Sequence, residues 1–294
     1  MNIKSVHVIV APYHVGIPEH RVGAGPRALL AHGLVARLEH LGVKVTSNMI
    51  LPVDDYEGEI GRSFEVIRRI AKAVAAASAG GFFPIVLAGN CNASVGVVAG
   101  LEVEDLGFVW FDAHADLDTP DEAVSGYFDG MGVSMLAGQS WQALMQTIPG
   151  YRPLSLHHFI YCGVRDLSEP QRGKLERSSA RVVYGDLQKK PDFASQLNEA
   201  LDDADFTSAI VHLDLDCLDT SVGRANEYAA PGGLEEIDLL KCFNVISTKL
   251  SPVALTVASF NPGFEGGKQI ADAGVRAISC LVSGLLRSEP VSAD

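Results

Sequence analysis

The sequence predicts an α/β protein: a single three-layer domain over residues 1–294, with helices on both faces of a mostly parallel sheet of about eight strands. Short apolar runs alternate along the chain with longer segments of helical periodicity, which is the order typical of β-α-β units. Most of these runs are rich in Val, Ile, Leu and Phe without polar alternation, as in strands buried on both faces. The hydrophobic fraction of 47% is sufficient for a sizeable core.

Eight segments carry the strand pattern, and eight longer segments carry the helical pattern. The first helix is supported at both ends, because Pro26 fits the first turn of a helix and Gly42 is a frequent stop after its last turn. No apolar run reaches the roughly 18–20 residues of a membrane span, so we expect no membrane as partner. The predicted strands are 6–10, 43–47, 83–87, 106–111, 158–162, 181–184, 208–214 and 253–259. The predicted helices are 26–41, 57–77, 92–100, 130–147, 168–178, 191–203, 233–247 and 268–287.

The chain carries a formal net charge of −13, which argues against nucleic acid as a partner because phosphate binding needs a basic surface. Its acidity agrees with a cationic substrate or a metal ion. Five scattered cysteines without a C-x-x-C pair indicate free thiols in a reducing compartment, so we expect a cytoplasmic protein. No charged segment followed by a long apolar stretch begins the sequence, and we expect no signal peptide.

Two acidic runs carry most of the functional information. Residues 111–118 read Phe-Asp-Ala-His-Ala-Asp-Leu-Asp after the apolar run 106–110, and residues 212–219 read His-Leu-Asp-Leu-Asp-Cys-Leu-Asp after 208–211. A buried strand that ends in alternating acids needs a compensating cation, because an unpaired buried carboxylate is very costly. The carboxyl ends of parallel strands meet at one edge of the sheet, where ligands bind. We therefore expect one site with one or two divalent metals.

Alternate side chains of an extended segment point the same way. Asp112, His114 and Asp116 can therefore converge, as can Asp214 and Asp216. Carboxylates that bridge two metals would activate a shared water molecule as hydroxide. The plain alternative is a solvated acidic loop, but two apolar strands that both end this way disfavour it. An EF-hand is discounted, because the glycine at position six and the glutamate at position twelve of its loop are missing.

Histidine and cysteine residues near the strand ends are further candidates. His212 would point with Asp214 and Asp216, as a metal ligand or, as we favour, as a hydrogen-bonding partner of the ligands. His14 follows the first strand and either contacts substrate or has a structural role. Cys91 could be a nucleophile, although no adjacent base is evident. The sequence has no Walker A loop, no dinucleotide-binding fingerprint and no Gly-x-Ser-x-Gly elbow.

With these motifs the chain resembles the ureohydrolase family, which includes arginase, agmatinase and formiminoglutamase, and the resemblance runs over most of its length. Residues 112–116 match the family signature D-A-H-x-D, and residues 214–219 match D-x-D-x-x-D. Residues 21–27, 163–166 and 231–234 match smaller family segments. The resemblance implies an arginase-like fold, a two-metal centre that usually holds manganese, and hydrolysis of a small guanidine-like substrate. It also implies a homo-oligomer, either a trimer or a hexamer.

The family pattern implies a role for each matching acid and histidine. Asp112 and Asp214 would bridge the metals. Asp116 would complete one metal site, and His114 with Asp216 the other. A hydroxide between the metals would attack the planar carbon of the substrate, and the C–N bond would break as the leaving amine is protonated.

Three positions depart from the family pattern. Cys91 replaces a histidine ligand, Ser259 replaces the glutamate that pairs with the substrate guanidinium, and Asp129 replaces the proton-shuttling histidine. A thiolate is a softer ligand, so Zn²⁺ or Fe²⁺ becomes an alternative to Mn²⁺, whereas a protonated Cys91 would leave that site weak. Asp118, Asp129 or Glu265 could supply the missing carboxylate. The candidate catalytic residues are Asp118, Asp129 and His212, and the candidate substrate-binding residues are His14, Asp118, Ser125, Ser259 and Glu265.

Two hypotheses follow for the function. The first is a metal-dependent hydrolase that cleaves a C–N bond of a guanidine, hydroxyguanidine or related amidine. Cys91 together with His212 resembles the N-hydroxyarginine hydrolase branch of the family. The second hypothesis is an arginase-like protein that has lost turnover and acts as a ligand-binding or regulatory partner. We favour the first, because clustered carboxylates without a metal carry a large desolvation cost.

Overall fold

The structure, a computed structural model, describes residues 3–54 and 58–287, and its central feature is a parallel sheet. In chain order the strands are β1 (Ser5–Ala11), β2 (Tyr13–His14), β3 (Ile17–Pro18), β4 (Lys44–Met49), β5 (Phe83–Ala88), β6 (Gly107–Phe111), β7 (Phe159–Val164), β8 (Arg181–Tyr184), β9 (Ser208–Asp214) and β10 (Ser251–Ala258). Eight of them form one sheet in the order β4-β1-β5-β10-β9-β6-β7-β8, with parallel neighbours throughout. The predicted α/β class and its eight parallel strands are confirmed. The small β2–β3 hairpin is antiparallel and was not predicted.

Two of the predicted helices are interrupted. The helices are α1 (Gly25–Ala31), α2 (Leu34–His40), α3 (Gly58–Ala79), α4 (Ala93–Ala99), α5 (Gly132–Leu136), α6 (Gln142–Met145), α7 (Glu169–Arg177), α8 (Phe193–Asp202), α9 (Glu236–Lys249) and α10 (Gly267–Arg287). The predicted helix 26–41 breaks at Gly33, whose φ of 82° ends α1 before α2 begins. The predicted helix 130–147 breaks at Gly138 and Trp141, which also have positive φ angles. The first residue of the predicted helix 57–77 lies outside the described part.

Helices cover both faces of the sheet because side chains of each strand alternate between two apolar layers. In β1, Val8 and Val10 pack into the layer that contains α1, α2, α8, α9 and α10. Ile9 and Ala11 pack into the layer that contains α3, α4 and α5. The continuous apolar strands of the sequence are therefore buried on both faces, as predicted.

Helix α10 is long and apolar enough to cross a membrane by length and composition, but 67% of its most apolar window is buried inside the protein. Its apolar residues, including Ile270, Ile278 and Leu281, belong to the core layer shared with α9. We conclude that α10 is a core helix.

The strand register brings the functional segments together at the carboxyl edge of the sheet. Phe111 of β6 pairs with Leu213 of β9, so the residues that follow these strands leave the sheet side by side. Ala258 of β10 pairs with Asp214, which places the turn after β10 beside the second acidic run. Gly89 follows β5, and a Cβ at this position would lie 2.0 Å from the carbonyl oxygen of Tyr13. A glycine is therefore needed for the close approach of these two strand ends.

Candidate metal centre

Two groups of ligand-type side chains lie at this edge, each with its candidate donor atoms within 4.8 Å of one another. The first group is Cys91, Asp112, His212 and Asp214, and the second is Asp112, His114 and Asp216. Asp112 belongs to both groups, so two metal positions would be adjacent and would share this carboxylate. Asp116, predicted as a ligand, belongs to neither group and lines the adjoining cavity instead.

Backbone amides of the acidic runs fix the orientation of the carboxylates. Oδ1 of Asp112 accepts a hydrogen bond of 2.7 Å from the backbone N–H of His114, and Oδ2 accepts one of 2.9 Å from Nε1 of Trp110. Oδ1 of Asp214 likewise accepts a bond of 2.7 Å from the N–H of Asp216. In each run an acid therefore caps the amide two residues further on, which turns the chain at the end of the strand.

The second acidic run is also held by Arg165, which follows β7. Its Nη2 donates to the carbonyl oxygens of Asp216, Leu218 and Ala230 at 2.8, 3.1 and 2.7 Å. Its Nη1 donates to the carbonyl of Gly163 at 2.8 Å. The Arg165 guanidinium thus links the end of β7, the second acidic run and the loop at Ala230 behind the metal ligands. This contact explains why residues 163–166 form a recognisable motif.

Cys91 lies at the turn between β5 and α4 and is buried. Its Sγ donates a hydrogen bond of 2.9 Å to Oδ2 of Asp214 and lies 3.1 Å from Oγ of Ser259. Burial, reinforced by the charge of Asp214, raises the pKa of the Cys91 thiol well above its usual value. The thiol therefore keeps its proton in the metal-free protein, and a cation bound here would displace it.

The charges of the cluster are unbalanced. Burial raises the pKa of Asp112 to about 6, and burial together with neighbouring carboxylates raises that of Asp214 well above the usual value. Burial alone would lower the pKa of His114, but the nearby charge of Asp216 outweighs it and the pKa is raised. His114 in turn overcomes the burial of Asp216 and holds its pKa below the usual value. One histidine cannot compensate several buried acids, so the residues present fit divalent cations.

His212, a member of the first group, is fully buried. Its ring stacks on Trp110 with centroids 3.7 Å apart, and its Nδ1 lies 2.9 Å from Oγ of Ser94. Its Nε2 is buried without a hydrogen-bond partner among residues 3–54 and 58–287. Burial lowers the pKa of His212 to about 3, so the ring is neutral.

A cavity of about 150 Å³ adjoins the cluster, and most predicted site residues line it. The predicted residues among its walls are His14, Cys91, His114, Asp116, Asp118, Ser125, Asp129, Asp214, Asp216 and Ser259. Glu265 is exposed and is not among the lining residues. His14 is buried and lies 3.4 Å from both Arg21 and Asn90, and burial lowers its pKa to about 4.

Two acids in the cavity wall are held by amide groups. Nε2 of Gln171 donates to both carboxylate oxygens of Asp118, at 3.1 and 3.0 Å. Asp129 is buried, and its oxygens accept bonds of 2.7 Å from Nδ2 of Asn90 and 3.2 Å from the N–H of Asn92. Burial, only partly offset by these bonds, raises the pKa of Asp129 to about 7.

Sequence reasoning missed several cavity residues that come from three irregular segments of the chain. Tyr127 and Tyr228 pack with ring centroids 5.3 Å apart, and Arg21 forms an ion pair with Glu227. Asn226 donates a bond of 3.0 Å to Oδ2 of Asp216. The one available signal was the motif at 21–27, which contains Arg21; nothing in residues 220–230 marked that loop as functional.

Comparisons with known proteins find relatives in sequence and in fold. The model of the Arginase family matches residues 4–283. Arginase of Eremothecium gossypii is 28% identical over 281 residues, which cover 88% of this chain and 70% of that protein. Arginase of Staphylococcus aureus strain MRSA252 is 23% identical over 291 residues, which cover 94% of this chain and 96% of that protein.

Solved structures show the same fold at low sequence identity. Arginase of Bacillus caldovelox superposes with a TM-score of 0.85 at 23% identity, covering 98% of this chain and 100% of that one. Proclavaminate amidino hydrolase of Streptomyces clavuligerus superposes with a TM-score of 0.73 at 16% identity, covering 98% and 94%.

Proposed function

Because this chain belongs to the arginase family, and is thus a hydrolase of C–N bonds in amidines or guanidines, we propose that it cleaves a small guanidine or hydroxyguanidine with the help of two divalent metal ions. The observation that carries the proposal is the pair of ligand groups that share Asp112 beside a single cavity. When bound, divalent cations would supply Lewis acidity that lowers the pKa of a water molecule and provides a nucleophile at neutral pH. Mn²⁺ is the expected metal for the second group, which offers only carboxylate and imidazole.

Asp118 is the proposed partner of the substrate's cationic end. Its carboxylate lines the cavity, and the two bonds from Gln171 fix its orientation without neutralising its charge. A planar cation that enters the cavity can pair with such a carboxylate through two parallel N–H donors. Asp118 would thus take over from the glutamate that Ser259 replaces.

Asp129 is the proposed proton donor to the leaving amine. With a pKa raised to about 7 by burial, its carboxyl group holds a proton in part of the molecules at neutral pH, as a general acid must. The bonds from Asn90 and from the N–H of Asn92 orient the carboxyl group in the cavity wall. This role matches the position of Asp129 at the family's proton-shuttling histidine.

A hydroxyguanidine is the better substrate candidate. Ser259 offers a hydroxyl group where the family has a carboxylate, so the cavity compensates a full guanidinium charge less well at that point. An N-hydroxy substituent makes a guanidine less basic and adds an O–H group, which can hydrogen-bond the serine hydroxyl while the N–H groups pair with Asp118. Cys91 and His212 add the resemblance to the N-hydroxyarginine hydrolase branch.

The cell compartment and the assembly are part of the same proposal. All five cysteines are free thiols, which suits the cytoplasm. A homo-oligomer, trimer or hexamer, is proposed by analogy with the family. The net charge of −13 disfavours nucleic acid as a partner.

Turnover with a panel of substrates tests the function. Metal-stripped protein is reloaded with Mn²⁺ or Zn²⁺, and release of urea or hydroxyurea is measured from guanidines and their N-hydroxy counterparts. We expect hydrolysis that favours an N-hydroxyguanidine, and a loss of about 10³-fold or more in Asp112→Asn, because both ligand groups depend on that carboxylate. The exposed Asp203→Asn is the matched control and should retain activity. Metal-loaded protein without turnover across the panel would contradict the proposal.

A further inference from the structure

We propose that His212 and Cys91 both ligate the metal of the first group. These sulfur and nitrogen ligands select a zinc-type cation, so the two metal positions differ in the metal that they prefer. The inference rests on the two-metal site of the proposed function and adds the ligand set and metal class of one position. It differs from the sequence-based expectation that His212 hydrogen-bonds the other ligands, because the contact to its Nδ1 comes from Ser94.

The position of His212 is fixed by its neighbours. Its strand partner is Trp110, and the two rings stack with an interplanar angle of 21°. Oγ of Ser94, the second residue of α4, lies 2.9 Å from Nδ1. Trp110 also donates to Asp112, so the same residue orients two members of the ligand group. A ring held from its face and at one nitrogen has only Nε2 left to present to the group.

His212 has one ring nitrogen left for a metal. A ring nitrogen of His212 lies within 4.8 Å of the donor atoms of the group. Nδ1 already contacts Ser94 at 2.9 Å, whereas Nε2 has no partner among the described residues. With Nδ1–H donating to Ser94, Nε2 carries a buried lone pair without a donor, which is costly unless a cation satisfies it. The geometry therefore points to Nε2 as a metal-binding atom.

Cys91 makes the ligand set of the first metal position different from that of the second. The first group offers one sulfur, one imidazole and two carboxylates, whereas the second offers one imidazole and two carboxylates. The Cys91 proton is already shared with Asp214 at 2.9 Å, so a metal can take its place without rearranging the carboxylate. Thiolate and imidazole together suit Zn²⁺, whereas carboxylate-rich sites suit Mn²⁺.

Zinc X-ray absorption spectroscopy tests the ligand set without turnover. The His114→Gln variant removes the imidazole of the second group, so imidazole scattering from one equivalent of Zn²⁺ then reports His212. We expect a sulfur shell at about 2.3 Å and one imidazole nitrogen at about 2.0–2.1 Å. A spectrum with only oxygen and nitrogen neighbours and no imidazole pattern would overturn the proposal. This spectrum decides the question even if further variants fail to fold.

Two further variants separate the ligands. In the His114→Gln background, His212→Asn should lose the imidazole pattern and keep the sulfur shell, and Cys91→Ser should do the reverse. Each should lower the ratio of Zn²⁺ to Mn²⁺ affinity by about 10-fold or more. His158→Gln and Cys280→Ser, which change the same residue types outside the cluster, should leave spectrum and ratio unchanged.

Unchanged imidazole scattering in His212→Asn would reduce His212 to a packing role. Such a result could still accompany full hydrolytic activity, so failure of this inference is distinguishable from failure of the proposed function.

Discussion

The stability of the metal-free protein should fall as pH rises from 6.5 to 8. Four acids, the buried Asp112, Asp129 and Asp214 and the partly exposed Asp116, have raised pKa values because removal from water disfavours their charged form. The folded protein therefore retains protons that the unfolded chain has already released at pH 6.5. Stability that depends on such protons is present at low pH and is lost as pH rises through the folded-state pKa.

Asp129 sets the scale of the effect. Burial raises its pKa from 3.8 to about 7. A carboxyl group with these two values stabilises the folded state by about 0.8 kcal/mol at pH 6.5 and by about 0.1 kcal/mol at pH 8. Asp112, with a pKa of about 6, adds about 0.2 kcal/mol at pH 6.5. The other two acids act in the same direction, so the four acids together should lose at least about 1 kcal/mol of stabilisation over this range.

The lower end of this pH window is set by histidines. Burial lowers the pKa values of His14 and His212 to about 4 and about 3, so below pH 6.5 the unfolded chain gains protons that these residues refuse when folded. Their effect opposes that of the acids, and because unfolded histidines are still half protonated at pH 6.5, the two residues together regain about 0.8 kcal/mol of stability between pH 6.5 and 8. His114 acts in the same direction as the acids because its folded-state pKa is raised, so His114, Asp116 and Asp214, whose pKa values lie well above their usual ones, keep the net change a loss.

Urea unfolding at fixed pH values, after removal of metal with a chelator, measures the slope. Asp129→Asn should remove about 0.7 kcal/mol of the loss, and the exposed Asp203→Asn should leave it unchanged. Saturating Zn²⁺ or Mn²⁺ should reverse the sign, because metals bind the deprotonated ligands. Metal-free protein whose stability is constant or rises between pH 6.5 and 8 would contradict the raised pKa values of these acids.

Two other substitutions test the framework around the cluster. Arg165→Met should lower the free energy of unfolding by about 3 kcal/mol or more, because several buried carbonyls lose a charged donor. The control Arg172→Met loses a cation–π contact with Tyr184 and should cost about 1 kcal/mol or less. Urea unfolding measures both variants. Gly89→Ala should lower the free energy of unfolding by roughly 3 kcal/mol or prevent folding, since its Cβ would lie 2.0 Å from the Tyr13 carbonyl oxygen. A Cβ at Gly130 would have nothing within 4 Å, so Gly130→Ala should leave the melting temperature in thermal unfolding unchanged. An Arg165 variant as stable as its control, or a Gly89 variant as stable as Gly130→Ala, would contradict these assignments.

The sheet and the acidic cluster were predictable because both depend on local pattern. The predicted strand 208–214 coincides with β9, since a strand buried on both faces is apolar without interruption. The meeting of Asp112 and Asp214 needed only one more premise, that parallel strands end at a common edge. The breaks at Gly33 and Gly138 were less accessible, since neighbouring residues continue the helical pattern through them.

Contacts between distant segments could not be derived from the sequence. Glu265 lies only six residues after Ser259, yet it is exposed and Ser259 lines the cavity. The positive φ of Ser259, 60°, turns the chain away from the sheet at that point. The hydrogen-bond partner of His212 in β9 is Ser94, which comes from helix α4 and belongs to no motif.

The number of metal ions bound per chain distinguishes a shared two-metal centre from a single or absent site. Metal-stripped protein is dialysed to equilibrium against Zn²⁺ and Mn²⁺, and bound metal is measured by mass spectrometry. We expect two equivalents per chain, with loss of tight binding at both positions in Asp112→Asn because both ligand groups share that carboxylate. One equivalent or none at saturating metal, or two retained equivalents in the variant, would contradict a shared two-metal centre.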